Sequence, residues 1–82
     1  MAQRRFLVMQ VIFDMGWSGI VWAVGCNTRE AAVRSFERRV SANLVDGQGP
    51  RAVAAYDRQE KVLVCWTSEV EDPEAFVRYW CR

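Results

Sequence analysis

Phe6-Leu7-Val8-Met9-Gln10-Val11-Ile12-Phe13 decides how this chain folds, because the stretch is apolar on both sides of an extended backbone. Side chains alternate along a strand, so Leu7, Met9, Val11 and Phe13 share one face. Phe6, Val8 and Ile12 share the other, and Gln10 is the one polar interruption. A strand that leaves one face to water alternates apolar with polar residues; this one calls for cover on both sides. A chain of 82 residues has little material for two covering layers. The strand therefore raises the expectation of a partner chain, or of a homodimer formed through an open sheet face.

Working outward, Arg5 to Asp14 reads as a first strand and Ile20 to Cys26 as a second, with Met15-Gly16-Trp17-Ser18-Gly19 as the hairpin loop between them. Asn27-Thr28-Arg29-Glu30 supplies a helix start in which Asn27 caps and Glu30 reaches back. The helix is expected from about Thr28 to Leu44, where Ala32, Val33, Phe36, Val40 and Leu44 fall on one stripe at three- and four-residue steps. Asp46-Gly47-Gln48-Gly49-Pro50 ends it. Arg51 to Tyr56 and Lys61 to Thr67 form a second hairpin around Asp57-Arg58-Gln59-Glu60. The fourth strand, apolar on both faces through Val62, Val64 and Trp66 against Leu63 and Cys65, reads as central; the alanine-rich third strand implies a helix packed close above it. Asp72-Pro73-Glu74 opens a short last helix, with Asp72 as cap and Pro73 at the first helical position. The order ββαββα predicts an α+β two-layer sandwich, a four-stranded, largely antiparallel sheet with both helices on one face, as a single domain over residues 1–82.

Composition removes several classes of function. The chain is 51% hydrophobic with a net charge of +1, which fits a packed core and gives no global field to draw it to nucleic acid or an anionic membrane. There is no histidine, so imidazole bases, Cys-His nucleophile pairs and histidine metal sites are excluded. Three cysteines, Cys26, Cys65 and Cys81, are odd in number and lack Cys-x-x-Cys spacing, which argues against a disulfide framework and for a reducing, cytoplasmic setting. No run approaches the roughly 20 apolar residues of a membrane span.

The chemistry-bearing clusters mostly have local explanations. Glu69, Glu71, Asp72 and Glu74 lack the spaced oxygen ligands and glycine of a calcium loop, and suit a helix start or an acidic contact patch. Gly16 and Gly19 lie between strands and face no helix N-terminus, so they do not form a phosphate loop. Arg34 and Arg38 give the first helix a charged face that Glu30 and Glu37 dilute. Met15 and Trp17 in the hairpin loop are the residues least required by folding, and tryptophan is the side chain most enriched at binding hot spots.

Gly25-Cys26-Asn27-Thr28-Arg29-Glu30-Ala31 resembles the glycine, threonine, glutamate-alanine run at the strand-to-helix junction of HicB-type antitoxins, whose small domain also begins with a hairpin. The match spans seven residues, lacks the family's preceding proline-containing loop and carries over no functional residue. It implies an alternative reading as a nucleic-acid-binding or antitoxin-type regulator acting through the arginine-bearing helix. The principal expectation is a small non-enzymatic protein-binding module without metal or cofactor. Such a module would be an inhibitor or regulator that occupies a surface of a larger host protein or nucleoprotein complex. In size and equipment it resembles phage and mobile-element anti-defence products such as anti-CRISPR proteins. The expected contact residues are Met15, Trp17, Phe6, Val8 and Ile12, with Arg34, Arg38, Glu69, Glu71 and Asp72 as charged contacts.

Overall fold

A computed structural model describes residues 4–14, 17–46 and 51–81, and their side chains other than those at positions 13, 14, 17, 18, 43–46 and 51. The two-sided run becomes β1 (Phe6–Asp14), and it lies inside the sheet. β2 (Trp17–Cys26) flanks it on one side and β3 (Arg51–Asp57) on the other, while β4 (Val62–Trp66) closes the far edge, giving the order β2-β1-β3-β4 with every pairing antiparallel. Two helices complete the α+β fold, α1 (Arg29–Asp46) and α2 (Pro73–Trp80), in the expected order ββαββα.

The helices lie on opposite faces of the sheet, and here the expectation of both on one face is corrected. Phe6 and Val8 of β1 pack with Ala55 of β3, Cys26 at the end of β2, and Ala31, Ala32 and Phe36 of α1. Leu7, Met9 and Val11 of β1 pack instead with Ala52, Ala54 and Tyr56 of β3, Val70, and Phe76, Val77 and Trp80 of α2. The two sets occupy alternate positions of the same strands, so they are opposite faces. The physical reason is the one stated by the sequence itself. A central strand apolar on both sides is stable when each side is covered, and one helix per side does this within the chain. Val8, Met9 and Val11 are all 0% exposed.

The placement of β4 is also the reverse of the reading from hydropathy, which made it central. β3 is central, and Ala52, Ala54 and Ala55 are completely buried; β4, apolar on both faces, is an edge strand whose Val62 and Trp66 are 51% and 44% exposed. Small side chains suit the middle of a three-layer stack because they let both helices approach the backbone. The β3–β4 connection closes through Lys61, whose amide donates to the Asp57 carbonyl at 2.7 Å and whose φ of 59° is the left-handed conformation that ends such four-residue loops.

Local signals at the helix starts were legible to within a residue. Thr28, one position after Asn27, caps α1: its Oγ1 accepts from the Ala31 amide at 3.2 Å. Asp72 caps α2 as expected, accepting from the Ala75 amide at 3.2 Å, with Pro73 at the first helical position.

Among the described residues two polar side chains are buried in this apolar frame, and both are paired. Gln10, 2% exposed, accepts at Oε1 from Nε of Arg39, which reaches down from α1 with its guanidinium 4.7 Å from the ring centre of Trp22 on β2. Asp57, 5% exposed, takes a two-pronged contact from Arg5, Nε to Oδ1 at 3.0 Å and Nη2 to Oδ2 at 2.9 Å, and also accepts from the Gln59 and Glu60 amides. The hydrogen bond from Arg5 chiefly holds the Asp57 carboxyl down to about 2.

Arg39→Ala leaves the buried Gln10 amide oxygen without a donor, and is expected to destabilise the fold by about 1–3 kcal/mol in urea titrations. Pairing that change with Gln10→Leu is expected to recover much of the loss. For Asp57 the folded-state value lies below the roughly 4 of an unfolded aspartate, so its contribution is complete above about pH 4 and is lost as the pH falls toward about 2. Urea midpoints of the wild type and Asp57→Asn are therefore expected to differ most at neutral pH and to converge across that window.

Candidate functional site

Of the residues singled out on β1, Phe6 and Val8 are core. Phe6 is 4% and Val8 0% exposed beneath α1, and Ile12, on the same face, is partly buried. The open sheet face that they were expected to form is therefore occupied by the chain's own helix. Trp17 belongs to β2, which begins there and pairs Trp17 with Asp14, so it is a strand residue rather than part of a five-residue loop. Its side chain, and Met15 altogether, lie outside the described residues.

The charged candidates are on the surface but do not converge. Arg34 and Arg38 are exposed on α1, where a shallow depression is lined by Arg29, Arg34, Glu30, Glu37 and Val33, with acid and base interleaved. Glu69, Glu71 and Asp72 are exposed in the segment between β4 and α2, and Asp72 is engaged as the helix cap. Among the described residues, no three cysteine, aspartate or glutamate side chains gather as a metal site would require. Nor are Cys65 and Cys81 activated: burial pushes the Cys65 thiol up and that of Cys81 to about 11, so both are protonated near neutrality.

Concavity and exposed apolar area coincide elsewhere, between the edge strand β4 and α2. The groove there has a volume of about 370 Å³, with Val62, Leu63 and Trp66 as one wall and Pro73 and Val77 as the other. Its construction follows from the pairings. Leu63 and Trp66 lie opposite Tyr56 and Ala54, so both point to the face that α2 covers. Leu63 reaches the core, whereas Trp66, at the strand's end beside Pro73, stays 44% exposed. Thr67 fixes that end: its amide donates to the Val53 carbonyl at 3.0 Å, and its hydroxyl accepts from the Val53 amide at 3.1 Å. Phe76 and Trp80, with ring centres 6.5 Å apart, anchor α2 to the sheet from within.

The groove is electrically lopsided. Lys61 and Arg78 line one end, which runs on into a second depression bounded by Tyr56, Val77 and Cys81. Glu74 lines the other end beside Pro73, close in sequence to Glu69, Glu71 and Asp72. The acidic cluster noted in the sequence thus stands at one end of an apolar channel. Hydropathy could not reveal this channel, because Val62 and Trp66 read as ordinary strand residues until β4 is known to be an edge; the exposed aromatic was sought at Trp17 instead.

Compared with known proteins, the chain matches no family model, no curated protein and no solved structure. The Gly25–Ala31 run has a local explanation in the structure: β2 ends at Cys26 and Thr28 caps the helix that follows.

The division between core and surface has a direct check. Phe6→Ala is expected to cost about 3–5 kcal/mol of stability. Val62→Ser, at a position 51% exposed, is expected to change it by no more than about 0.5 kcal/mol in the same denaturation series.

Proposed function

We propose that this protein is a non-enzymatic protein-binding module of the cytoplasm, an inhibitor or regulator that acts by occupying a surface of a larger protein. The observation that carries the reading is the β4–α2 groove, where a half-exposed tryptophan borders an apolar channel with a basic end. Large aromatic side chains set in a concave apolar site are the usual anchors of protein interfaces. Exposing one here serves no purpose in the fold, whose two cores close without the outer half of Trp66. The occupant this channel fits is an apolar chain segment of the partner that carries a carboxylate at the end meeting Lys61 and Arg78. Charge at the two ends would fix the segment's direction, and apolar contact along the middle would supply most of the affinity.

The test is selection of displayed twelve-residue peptides on the immobilised protein, followed by nuclear magnetic resonance mapping of the best binder. Enrichment of apolar peptides with an acidic end is expected, with shifts confined to β4 and α2. Trp66→Ala should weaken the selected peptide at least tenfold while leaving the far-ultraviolet spectrum and melting cooperativity intact, and Val62→Glu should act in the same direction. Peptides that bind both variants as well as the wild type, or shifts that map to α1, would overturn the assignment.

A further inference from the structure

The two edges of the sheet are built differently. β4 is five residues long, directly follows Glu60 and Lys61, and steps out of register with β3 between Ala55 and Tyr56. Shortness and flanking charge are devices by which natural edge strands avoid pairing with other strands; a single register step is common to both edges. β2 is ten residues long and contains neither a charge nor a proline. One side of it is paired to β1 from Trp17 to Cys26, with a single irregularity where Val21 is the extra residue; no strand pairs with its other side among the described residues. Beside that unpaired backbone Ile20 and Val21 are 44% and 45% exposed, and Ala23 is exposed as well.

From these features we infer that β2 pairs with the β2 of a second copy of the chain, antiparallel about a two-fold axis, so that two four-stranded sheets join into one of eight strands. Self-pairing of a strand is penalised by like charges brought face to face, and the residues of β2 bring none; Arg4, whose Nη1 donates to the Gly25 carbonyl at 3.0 Å, reaches only the end of the strand, beyond Ile20, Val21 and Ala23. A foreign strand would find nothing along β2 to select its sequence, because Trp17–Cys26 offers no charge for it to match. A second copy, by contrast, continues a layer already present. Ile20 and Ala23 lie opposite Val11 and Met9 and hence on the α2 face, but α2 packs over the β4 side of the sheet, and among the described residues nothing covers Ile20 and Ala23 on the β2 side of that face. In the two-fold pair the bare strips of both copies meet across the seam, and the apolar area beside Met9 and Val11 becomes continuous. The groove between β4 and α2 sits at the opposite edge of each sheet and stays open.

Light scattering coupled to gel filtration, over a dilution series from millimolar to sub-micromolar, reads the association directly. The wild type is expected to move from twice the chain mass toward the chain mass on dilution. Val21→Lys and Val21→Glu change an exposed side chain and should each fold, with an unaltered melt, as a monomer throughout. Mixing these two variants should restore the doubled mass in a salt-sensitive form, which simple damage to the fold would not do. A wild type that stays monomeric at millimolar concentration, or a dimer indifferent to charge at position 21, would overturn the inference. Trp66→Ala should leave the association unchanged, which separates failure here from failure at the groove.

Discussion

The burial of β1 on both faces is the constraint from which the rest of the structure follows. A strand carrying Phe6 and Val8 on one side and Leu7, Met9 and Val11 on the other is stable only between two covering layers, and the chain has one helix for each. That requirement places β1 and β3 in the middle of the sheet, sends α1 and α2 to opposite faces, and leaves β2 and β4 as edges. The surfaces available to other molecules are set by the same division. Each helix is spent on its own face, so apolar area remains at the edges rather than on an open sheet.

The polar residues inside this frame do positional work. Apolar patterning alone specifies the register of β1 poorly, since a one-residue slip exchanges one apolar face for another. Gln10 removes that degeneracy: only in the observed register does it stand beneath Arg39, between Trp22 on one neighbour and Val53 on the other. The Arg5–Asp57 pair acts at the end of the same strand, where Phe6 lies opposite Asp57, and it joins the start of β1 to the turn that leads into β4. Arg58 strengthens the join by donating from its amide to the Arg5 carbonyl at 2.8 Å.

Element identity was legible in the sequence because each element carries a local signal: alternating or continuous apolar runs for the strands, the Asn27-Thr28-Arg29-Glu30 and Asp72-Pro73-Glu74 runs for the helix starts, although the cap of the first is Thr28 and not Asn27. Layer assignment was not. It depends on which face of β1 each helix meets, and Ala31, Ala32 and Phe36 on one helix and Phe76 and Val77 on the other would suit either. The edge position of β4 was concealed for a related reason. Val62 and Trp66 give it the hydropathy of a central strand, while the truly central β3 is spelled largely in alanine, a residue of modest hydropathy. The candidate groove was hidden with it, since it exists only because an apolar strand ends up at the border of the sheet. The acidic run before α2 was visible, but its place at one end of an apolar channel was a matter of tertiary structure.

The alanines of β3 bear on how this protein can vary over evolution. Ala52, Ala54 and Ala55 are wholly enclosed, with α1 above one side and α2 and its preceding segment below the other. A larger side chain at any of them has no free volume to enter and must push a layer outward, at a typical cost of about 1–3 kcal/mol. Ordinary intuition treats alanine as the most replaceable of residues, and a substitution survey of this chain should reverse it. The segment of smallest side chains would be the most invariant in a lineage, while Val62 and Ile20 drift freely wherever selection for a partner is relaxed.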